Sequence, residues 1–266
     1  MKKIALFGIC GKMGKSMLSE LILENDIKVV AGFDKVNKGT DIGVLIGREI
    51  TGIKVTDNYD EIKETKPDII VDFTGPEIVY KNIMWAIENS INIIVGATGL
   101  KKEEIEVIKE KSENLKKSKV FIAPNFTLGA VLMIMISKMV ANYFDNCEII
   151  EMHHDNKKDA PSGTAMATAT AISKVKKFNE NKFITGEKEN VEGSRGAFYD
   201  GIHIHSVRLP GLLAHQSIIF GSKGQTLTIR HDSIDRSSYY PGLILAIRSL
   251  DKLPYFTYGL ENLIKI

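Results

Sequence analysis

Residues 151–165 read EMHHDNKKDAPSGTA. Two adjacent histidines, His153 and His154, are followed by Lys157, and Ser162, Gly163 and Thr164 then open a helical run. No packed core requires that order. Histidine is the usual proton carrier near neutral pH, and lysine can protonate a nitrogen or hold an anion. Pro161 ahead of Ser162 fits a helix entry, where free N–H groups and the helix dipole receive an anion. Proton carriers beside such a helix start suit a substrate that is acidic at one end and takes up a proton next to it. Ser162 alone reads as a helix cap, Lys158 as a solvated charge, and Asp159 as a residue that orients the loop or pairs with a lysine. The whole string points to chemistry.

Delivery of a proton there has a counterpart near the N-terminus. Residues 3–8, with IALF at the centre, read as a buried strand, and residues 13–23 carry Met17, Leu18, Leu21 and Ile22 at helical spacing. Residues 27–33 form a second apolar run, ending at Asp34. Between the first strand and the helix stand Gly8, Gly11 and Gly14, spaced G-x-x-G-x-x-G. Strand, glycine turn, helix, strand and acid is the layout of a dinucleotide-binding unit, in which glycine lets a pyrophosphate approach the helix start. Cys10 takes the place of the middle glycine of the commoner form. Asp34 would accept from ribose hydroxyls and favours NAD, whereas Lys35 and Lys12 could neutralise a 2′-phosphate and favour NADP. Both cofactors stay open. A nicotinamide cofactor would give a hydride, and reduction of an imine then needs a proton.

These groups need elements to position them. Apolar runs at 68–73, 91–95 and 119–122 read as parallel strands. They end in Phe73-Thr74-Gly75-Pro76, Gly96-Ala97-Thr98-Gly99 and Ala123-Pro124-Asn125-Phe126. In an open α/β sheet, ligands sit beyond the carboxyl ends of strands, so the three ends should face the same crevice as Gly11. Val79, Ile83, Ala86 and Ile87 form a helical stripe, and Trp85 reads as packing. Residues 127–143 are apolar nearly all round, which predicts a buried helix linking two domains. Residues 148–152 read as a strand delivering His153, residues 162–176 as a helix, and residues 178–196 as polar loop. Runs at 201–209, 215–221 and 225–231 read as antiparallel strands. His203 and His205 share one face of the first; with no Cys or clustered acid beside them, a sheet surface or subunit interface is favoured over a metal pair. Residues 241–250 read as a last helix, expected to return to the first domain.

The fold class expected is α/β: a Rossmann-type doubly wound parallel sheet over residues 1–125 plus 236–266, and a mixed α+β domain over 126–235. The 266 residues carry a net charge of +2, which argues against a nucleic-acid or membrane partner. Cys10 and Cys147 are too few for a disulfide framework. The N-terminal apolar run is broken at once by glycine and lysine, unlike a secretion signal. No run approaches the roughly 20 apolar residues of a membrane span. A soluble cytoplasmic protein is expected, with no metal.

The chain resembles the dihydrodipicolinate reductase family, also called 4-hydroxy-tetrahydrodipicolinate reductase, of bacterial lysine and diaminopimelate synthesis. The signature E-x-H-H-x-x-K-x-D-x-P-S-G-T-A stands here as Glu151, His153, His154, Lys157, Asp159, Pro161, Ser162, Gly163, Thr164 and Ala165. GICGKMG from Gly8, DFT from Asp72, GATG from Gly96, APNF from Ala123 and Arg236 extend the resemblance over nearly the whole chain. It implies reduction, by NADH or NADPH, of the cyclic imine formed when hydroxy-tetrahydrodipicolinate loses water. By the same match His153 is the proton donor and acceptor, and Lys157 the second acid. His154, Lys157, Ser162, Gly163 and Thr164 would grip the ring carboxylates. Gly8, Ile9, Cys10, Gly11, Lys12, Met13, Asp34, Lys35, Gly96, Ala97, Thr98, Ala123, Pro124, Asn125 and Phe126 would hold the cofactor. The family is usually a homotetramer built through the substrate-domain sheet, here the strands from His203 to His231.

Two other readings compete. Another nicotinamide reductase of amino or imino acids would keep Gly8 to Gly14 without needing HH-x-x-K and SGT. A nucleotide-binding redox regulator acting on DNA would carry a basic patch or a helix-turn-helix, and neither is seen.

Overall fold

Continuous apolar runs, as opposed to alternating ones, mark strands covered on both faces, and the N-terminal part of the chain is built from them. The computed structural model describes residues 1–178 and 188–265. In chain order the elements are β1 (Lys2–Phe7), α1 (Lys12–Leu21), β2 (Ile27–Phe33), β3 (Val55–Thr56), α2 (Tyr59–Glu64), β4 (Ile69–Asp72), α3 (Val79–Glu88), β5 (Asn92–Val95), α4 (Lys102–Leu115) and β6 (Val120–Ile122). There follow α5 (Leu128–Ala141), β7 (Asn146–His153), α6 (Gly163–Ser173), β8 (Ala197–Tyr199), β9 (Ile202–Arg208), β10 (Ala214–Ser222), β11 (Gln225–Ser233), α7 (Tyr240–Ser249) and β12 (Phe256–Tyr258). The chain divides into two compact units, Met1–Phe126 with Tyr239–Ile266, and Thr127–Ser238.

The first unit holds a seven-stranded sheet in the order β12-β6-β5-β4-β1-β2-β3, parallel throughout. The order reverses between β1 and β4, the switch point of a Rossmann-type sheet. Ala5, Phe7, Ile70, Ile93 and Val95 point to one face and share a core with Val79, Ile83, Ala86 and Ile87 of α3. Trp85 packs against Tyr59 with ring centroids 4.9 Å apart and planes tilted by 42°, which makes it a packing residue. The last helix lies in this unit, and Arg248 reaches Asp26 at 2.8 Å. The three-residue strand β12 extends the sheet beyond β6; it is too short for a hydrophobic pattern to announce it.

The second unit holds a five-stranded sheet in the order β11-β10-β7-β9-β8. Its strands alternate. Cys147, Ile149, Ile202, Ile204, Ile218 and Phe220 form a core with Met133 of α5 and Ala165, Ala169 and Ile172 of α6. The opposite face carries Glu148, Ile150, Met152, His203, His205 and Ile219, all partly exposed.

Two expectations are corrected here. β9 is not in an antiparallel run with β10 and β11: β7 lies between β9 and β10, and β9 runs parallel to β7. Alternation sets which residues share a face, but not which strand is the neighbour. Helix α5 is not buried all round: Ile136 is 37% and Met139 56% exposed. It lies with α6 on one face of the sheet, so its outer side meets no further layer of this unit. The polar stretch expected at 178–196 falls partly on residues 179–187, which lie outside those described, and the strand β8 follows it.

Candidate active site

His153 is the last residue of β7, and the turn after it leads through Lys157 and Asp159 to α6. Antiparallel pairing with β10 and parallel pairing with β9 fix this end from both sides, setting His153 opposite Ala214 and Arg208. Two residues earlier on the same face stands Glu151, with no solvent exposure. Its Oε2 lies 2.6 Å from His153 Nδ1. Arg208 donates to both carboxylate oxygens, from Nη2 to Oε1 at 2.7 Å and from Nη1 to Oε2 at 2.9 Å. The Ser162 N–H donates to Oε1 at 3.2 Å. Burial works to raise the Glu151 carboxyl, but the hydrogen bonds of Arg208, Ser206 and His153 outweigh it and hold the group below the usual carboxylate range. Burial pushes the His153 imidazole down, and Glu151 opposes that without reversing it.

Lys157 reaches the Asp159 carboxylate at 2.7 Å. That ammonium holds the Asp159 carboxyl low, against slight burial and with help from the Gly163 N–H. Arg208 donates to the Asp159 carbonyl at 2.7 Å. Ser162 is the N-cap of α6, its hydroxyl accepting from the Ala165 N–H at 3.2 Å. Ala160-Pro161 is a cis peptide just before it. A Cβ built on Gly163 meets nothing within 4 Å, so the helix start is open at that point. His153, His154, Lys157, Ser162, Gly163 and Thr164 are thus carried by one strand end, one turn and one helix start.

In the first unit the turns after the strands close on one another. A Cβ on Gly8 would fall 2.7 Å from the Phe73 carbonyl carbon, and one on Gly96 would fall 2.3 Å from the Phe73 ring. The Phe73 and Phe126 rings stand edge to face at 6.0 Å. The ends of β1, β4, β5 and β6 therefore meet. Gly14 carries the tightest demand: its Cβ would lie 2.1 Å from the Gly8 carbonyl oxygen, so only glycine lets α1 dock under the turn. Gly11 caps α1 without a side-chain hydrogen bond, and the helix has no acidic residue in its first turn. Asp34 directly follows β2 and accepts from the Cys10 N–H at 2.9 Å and the Val36 N–H at 3.2 Å. Lys12, Lys35, Thr98 and Pro124 are exposed, and Ala97, Ala123 and Phe126 are buried.

Two groups escaped the sequence reading. Arg208 carried no signal beyond a basic residue at the end of an alternating strand. The second is a buried network on β4. Asp72, fully buried, accepts from the Thr74 N–H at 2.7 Å, the Thr74 hydroxyl at 2.6 Å and the Asn82 amide at 2.7 Å. Asn82 in turn accepts from the Tyr59 hydroxyl at 2.6 Å. Burial pushes the Asp72 carboxyl up, with those hydrogen bonds working against it. The network fixes the turn that presents Phe73. Its residues lie on three elements, so no local spacing betrays it.

Among the described residues no group of three or more His, Cys, Asp or Glu is placed to hold a metal ion. No helix there is long and apolar enough to cross a membrane.

Residues 2–126 match the family described as Dihydrodipicolinate reductase, N-terminus, and residues 129–264 match Dihydrodipicolinate reductase, C-terminus. Among relatives, the 4-hydroxy-tetrahydrodipicolinate reductase of Desulfitobacterium hafniense is 44% identical, with 100% of both chains covered. The 4-hydroxy-tetrahydrodipicolinate reductase of Listeria welshimeri is 45% identical over 98% of this chain and 99% of its own. Among solved structures, the dipicolinate-bound dihydrodipicolinate reductase of Paenisporosarcina sp. TG-14 superposes with a TM-score of 0.89 at 39% identity, covering 99% of this chain and 100% of that one. An amine dehydrogenase from Mycobacterium smegmatis, at 12% identity and a TM-score of 0.70 over 99% of this chain and 96% of its own, shares the fold.

Proposed function

This chain belongs to the dihydrodipicolinate reductase family, and from that membership we propose the parts its residues play. The enzyme reduces 4-hydroxy-tetrahydrodipicolinate with a pyridine nucleotide, in the diaminopimelate route to lysine.

The first unit fits such a nucleotide. No side chain caps α1, so its first N–H groups are open to a pyrophosphate. Gly8, Ile9, Cys10, Gly11, Lys12 and Met13 form the cradle, and Gly96 to Thr98 with Ala123 to Phe126 line its continuation. When bound, the nucleotide supplies the hydride. The Asp34 carboxylate, fixed by the N–H groups of Cys10 and Val36, accepts from the adenosine ribose. Lys35 and Lys12, both exposed, meet a 2′-phosphate when there is one. The cofactor is accordingly NADH, NADPH or both.

The second unit binds the dicarboxylate and handles protons. His154, Lys157, Ser162, Gly163 and Thr164 hold the ring carboxylates, with the N–H groups of α6 directed at one of them. His153 gives a proton to the ring as it is reduced and recovers one from solvent; Lys157 is the second acid. Among the relatives one is described as dipicolinate-bound, which supports a small dicarboxylate as ligand. The partly exposed sheet face bearing Met152, His203, His205 and Ile219 is the surface through which four copies assemble. A cytoplasmic location suits the reaction.

The observation that carries this reading is the junction of β7 and α6, which joins His153 and Lys157 to an open helix start. Nicotinamide absorbance tests it. Oxidation of NADH or NADPH is expected only with freshly made condensation product of pyruvate and aspartate semialdehyde. No turnover with an active coupling enzyme overturns it.

A further inference from the structure

The carboxylate of Glu151 is fully buried and is held by Arg208, His153, Ser206 and the Ser162 N–H. A buried charge persists only where it is paired and hydrogen-bonded. Arg208 supplies both, through a two-pronged contact at 2.7 and 2.9 Å. An ionised carboxylate accepts hydrogen bonds and donates none. The 2.6 Å contact to His153 therefore requires a proton on Nδ1 of the imidazole. In the neutral ring Nε2 is then the bare nitrogen, and in the charged ring it is the nitrogen with a proton to give. The same guanidinium donates to the Asp159 carbonyl at 2.7 Å, and Asp159 pairs with Lys157 at 2.7 Å. One side chain thus ties the carboxylate behind His153 to the turn that carries Lys157.

We propose that Glu151 and Arg208 are positioning residues: Glu151 fixes the His153 tautomer so that Nε2 is the atom exchanging protons with substrate, and Arg208 keeps Glu151 ionised while registering His153 against Lys157. The inference rests on the reading of His153 as proton carrier. In the step itself the Nε2–H bond breaks and the proton passes to the ring that has taken up the hydride. The imidazole left behind keeps its Nδ1–H on Glu151. Glu151 takes no proton; it orients the ring and stabilises its charged form.

A glutamine at position 151 has nearly the same shape but a different polarity. Oε1 accepts from both Arg208 and the Ser162 N–H, whereas Oε2 is the position facing His153, so the amide oxygen takes the Oε1 place and the NH2 turns toward His153. The ring then accepts at Nδ1 and carries its proton on Nε2. The test uses the full chain with 15N-labelled histidine, reading the His153 tautomer in long-range proton–nitrogen spectra assigned by loss of the signal in His153→Gln. The wild type is expected to show the Nδ1–H tautomer, and Glu151→Gln a shift toward Nε2–H. Turnover of Glu151→Gln is expected to fall on the order of 10²–10⁴-fold, with the cofactor KM unchanged. The limb of kcat/KM that falls as pH rises should move to lower pH, because loss of the anion makes the imidazolium easier to deprotonate. Arg208→Lys should keep more turnover than Arg208→Gln. A wild-type Nε2–H tautomer, or a Glu151→Gln protein with wild-type tautomer, turnover and pH profile, overturns the proposal. If Glu151→Gln is recovered unfolded, the wild-type tautomer and the Arg208 pair decide it. His153→Gln with full turnover instead overturns the proton-carrier reading beneath it, and the tautomer spectra tell the two failures apart.

Discussion

The imidazole of His231, on β11, lies directly over Gly129 in the first turn of α5: a Cβ at Gly129 would fall 2.4 Å from Cδ2 and 2.7 Å from Nε2. In an exposed helix interior, Gly→Ala stabilises by roughly 0.8–1.0 kcal/mol. Here the sign should reverse. Gly129→Ala must displace a half-buried ring, and overpacking of that kind costs about 1–3 kcal/mol. Urea unfolding checks it. His231→Ala should remove the penalty when combined with Gly129→Ala, so the two changes should be strongly non-additive.

Stability should also fall as pH falls through the histidine range. Burial pushes both His231 and His153 down, outweighing the opposing effect of their carboxylate neighbours Asp232 and Glu151. The folded protein therefore keeps these rings neutral, while the unfolded chain takes up protons near the ordinary value of about 6.5. The unfolded state binds more protons in that window, so stability rises with pH across it. It is complete above the unfolded value and lost as pH drops toward the folded one. Urea midpoints measured from pH 7.5 to 5.5 should decline, and His231→Gln should flatten the decline.

These two rings show what a sequence can and cannot carry. The Rossmann-type unit was legible because its strands are unbroken apolar runs ending in Gly, Thr or Pro, each a local signal. Asp34, Gly8 and Gly14 sit where the local pattern put them. His231 over Gly129, Arg208 on Glu151 and Asn82 on Asp72 are contacts between elements, and alternation gives a residue's face without naming its neighbour. For the same reason β9 was set among antiparallel strands, although it runs parallel to β7. Apolar composition alone made α5 look enclosed, yet a helix covering one sheet face leaves Met139 more than half exposed. The signature from Glu151 to Ala165 was legible as chemistry, but the pairing that orients His153 needed the fold.

His153→Gln should lose turnover on the order of 10²–10⁴-fold, the usual scale for a lost general acid, while cofactor binding, followed by quenching of protein fluorescence, stays at the wild-type level. Unchanged turnover would move the proton role to Lys157.

In the proposed reading, Asp159 competes with a substrate carboxylate for the Lys157 ammonium. Its carboxylate pairs with Lys157 at 2.7 Å and is held low by that ammonium and by the Gly163 N–H. The pair is exposed on the Asp159 side, at 58%, so its worth is small, roughly 0.2–1 kcal/mol. Asp159→Asn removes this internal competitor and should tighten binding of pyridine-2,6-dicarboxylate by about 1.4- to fivefold on that scale. Lys157→Ala should weaken the same ligand and slow turnover. Calorimetric titration of both variants checks the pair; equal affinities would show that Lys157 does not hold the ligand.

Cofactor preference should respond to a single change at Lys35. The side chain is exposed at the end of β2, next to the Asp34 carboxylate fixed by Cys10 and Val36. A charge-assisted hydrogen bond to a phosphate is worth about 1.5 kcal/mol, which is about tenfold in affinity. Lys35→Ala should raise the KM for NADPH by about that factor and leave the KM for NADH in place. Paired titrations with the two cofactors measure it, and equal changes for both would remove Lys35 from 2′-phosphate recognition.

Two glycines should respond in opposite ways to the same substitution. At Gly14 a Cβ would stand 2.1 Å from the Gly8 carbonyl oxygen, a backbone atom that cannot yield, so Gly14→Ala should lose stability and cofactor binding together. Gly163 has no positive φ, and its Cβ would meet nothing within 4 Å. Folding does not require glycine there, and alanine is the better helix former. Gly163→Ala should therefore melt no lower than the wild type. The added methyl would instead crowd a carboxylate approaching the N–H groups of α6, so affinity for pyridine-2,6-dicarboxylate should fall by about tenfold or more, the equivalent of one charge-assisted contact. Thermal melting and calorimetric titration of the one variant separate the two effects. A lower melting temperature with unchanged affinity would show that Gly163 serves the helix and not the ligand.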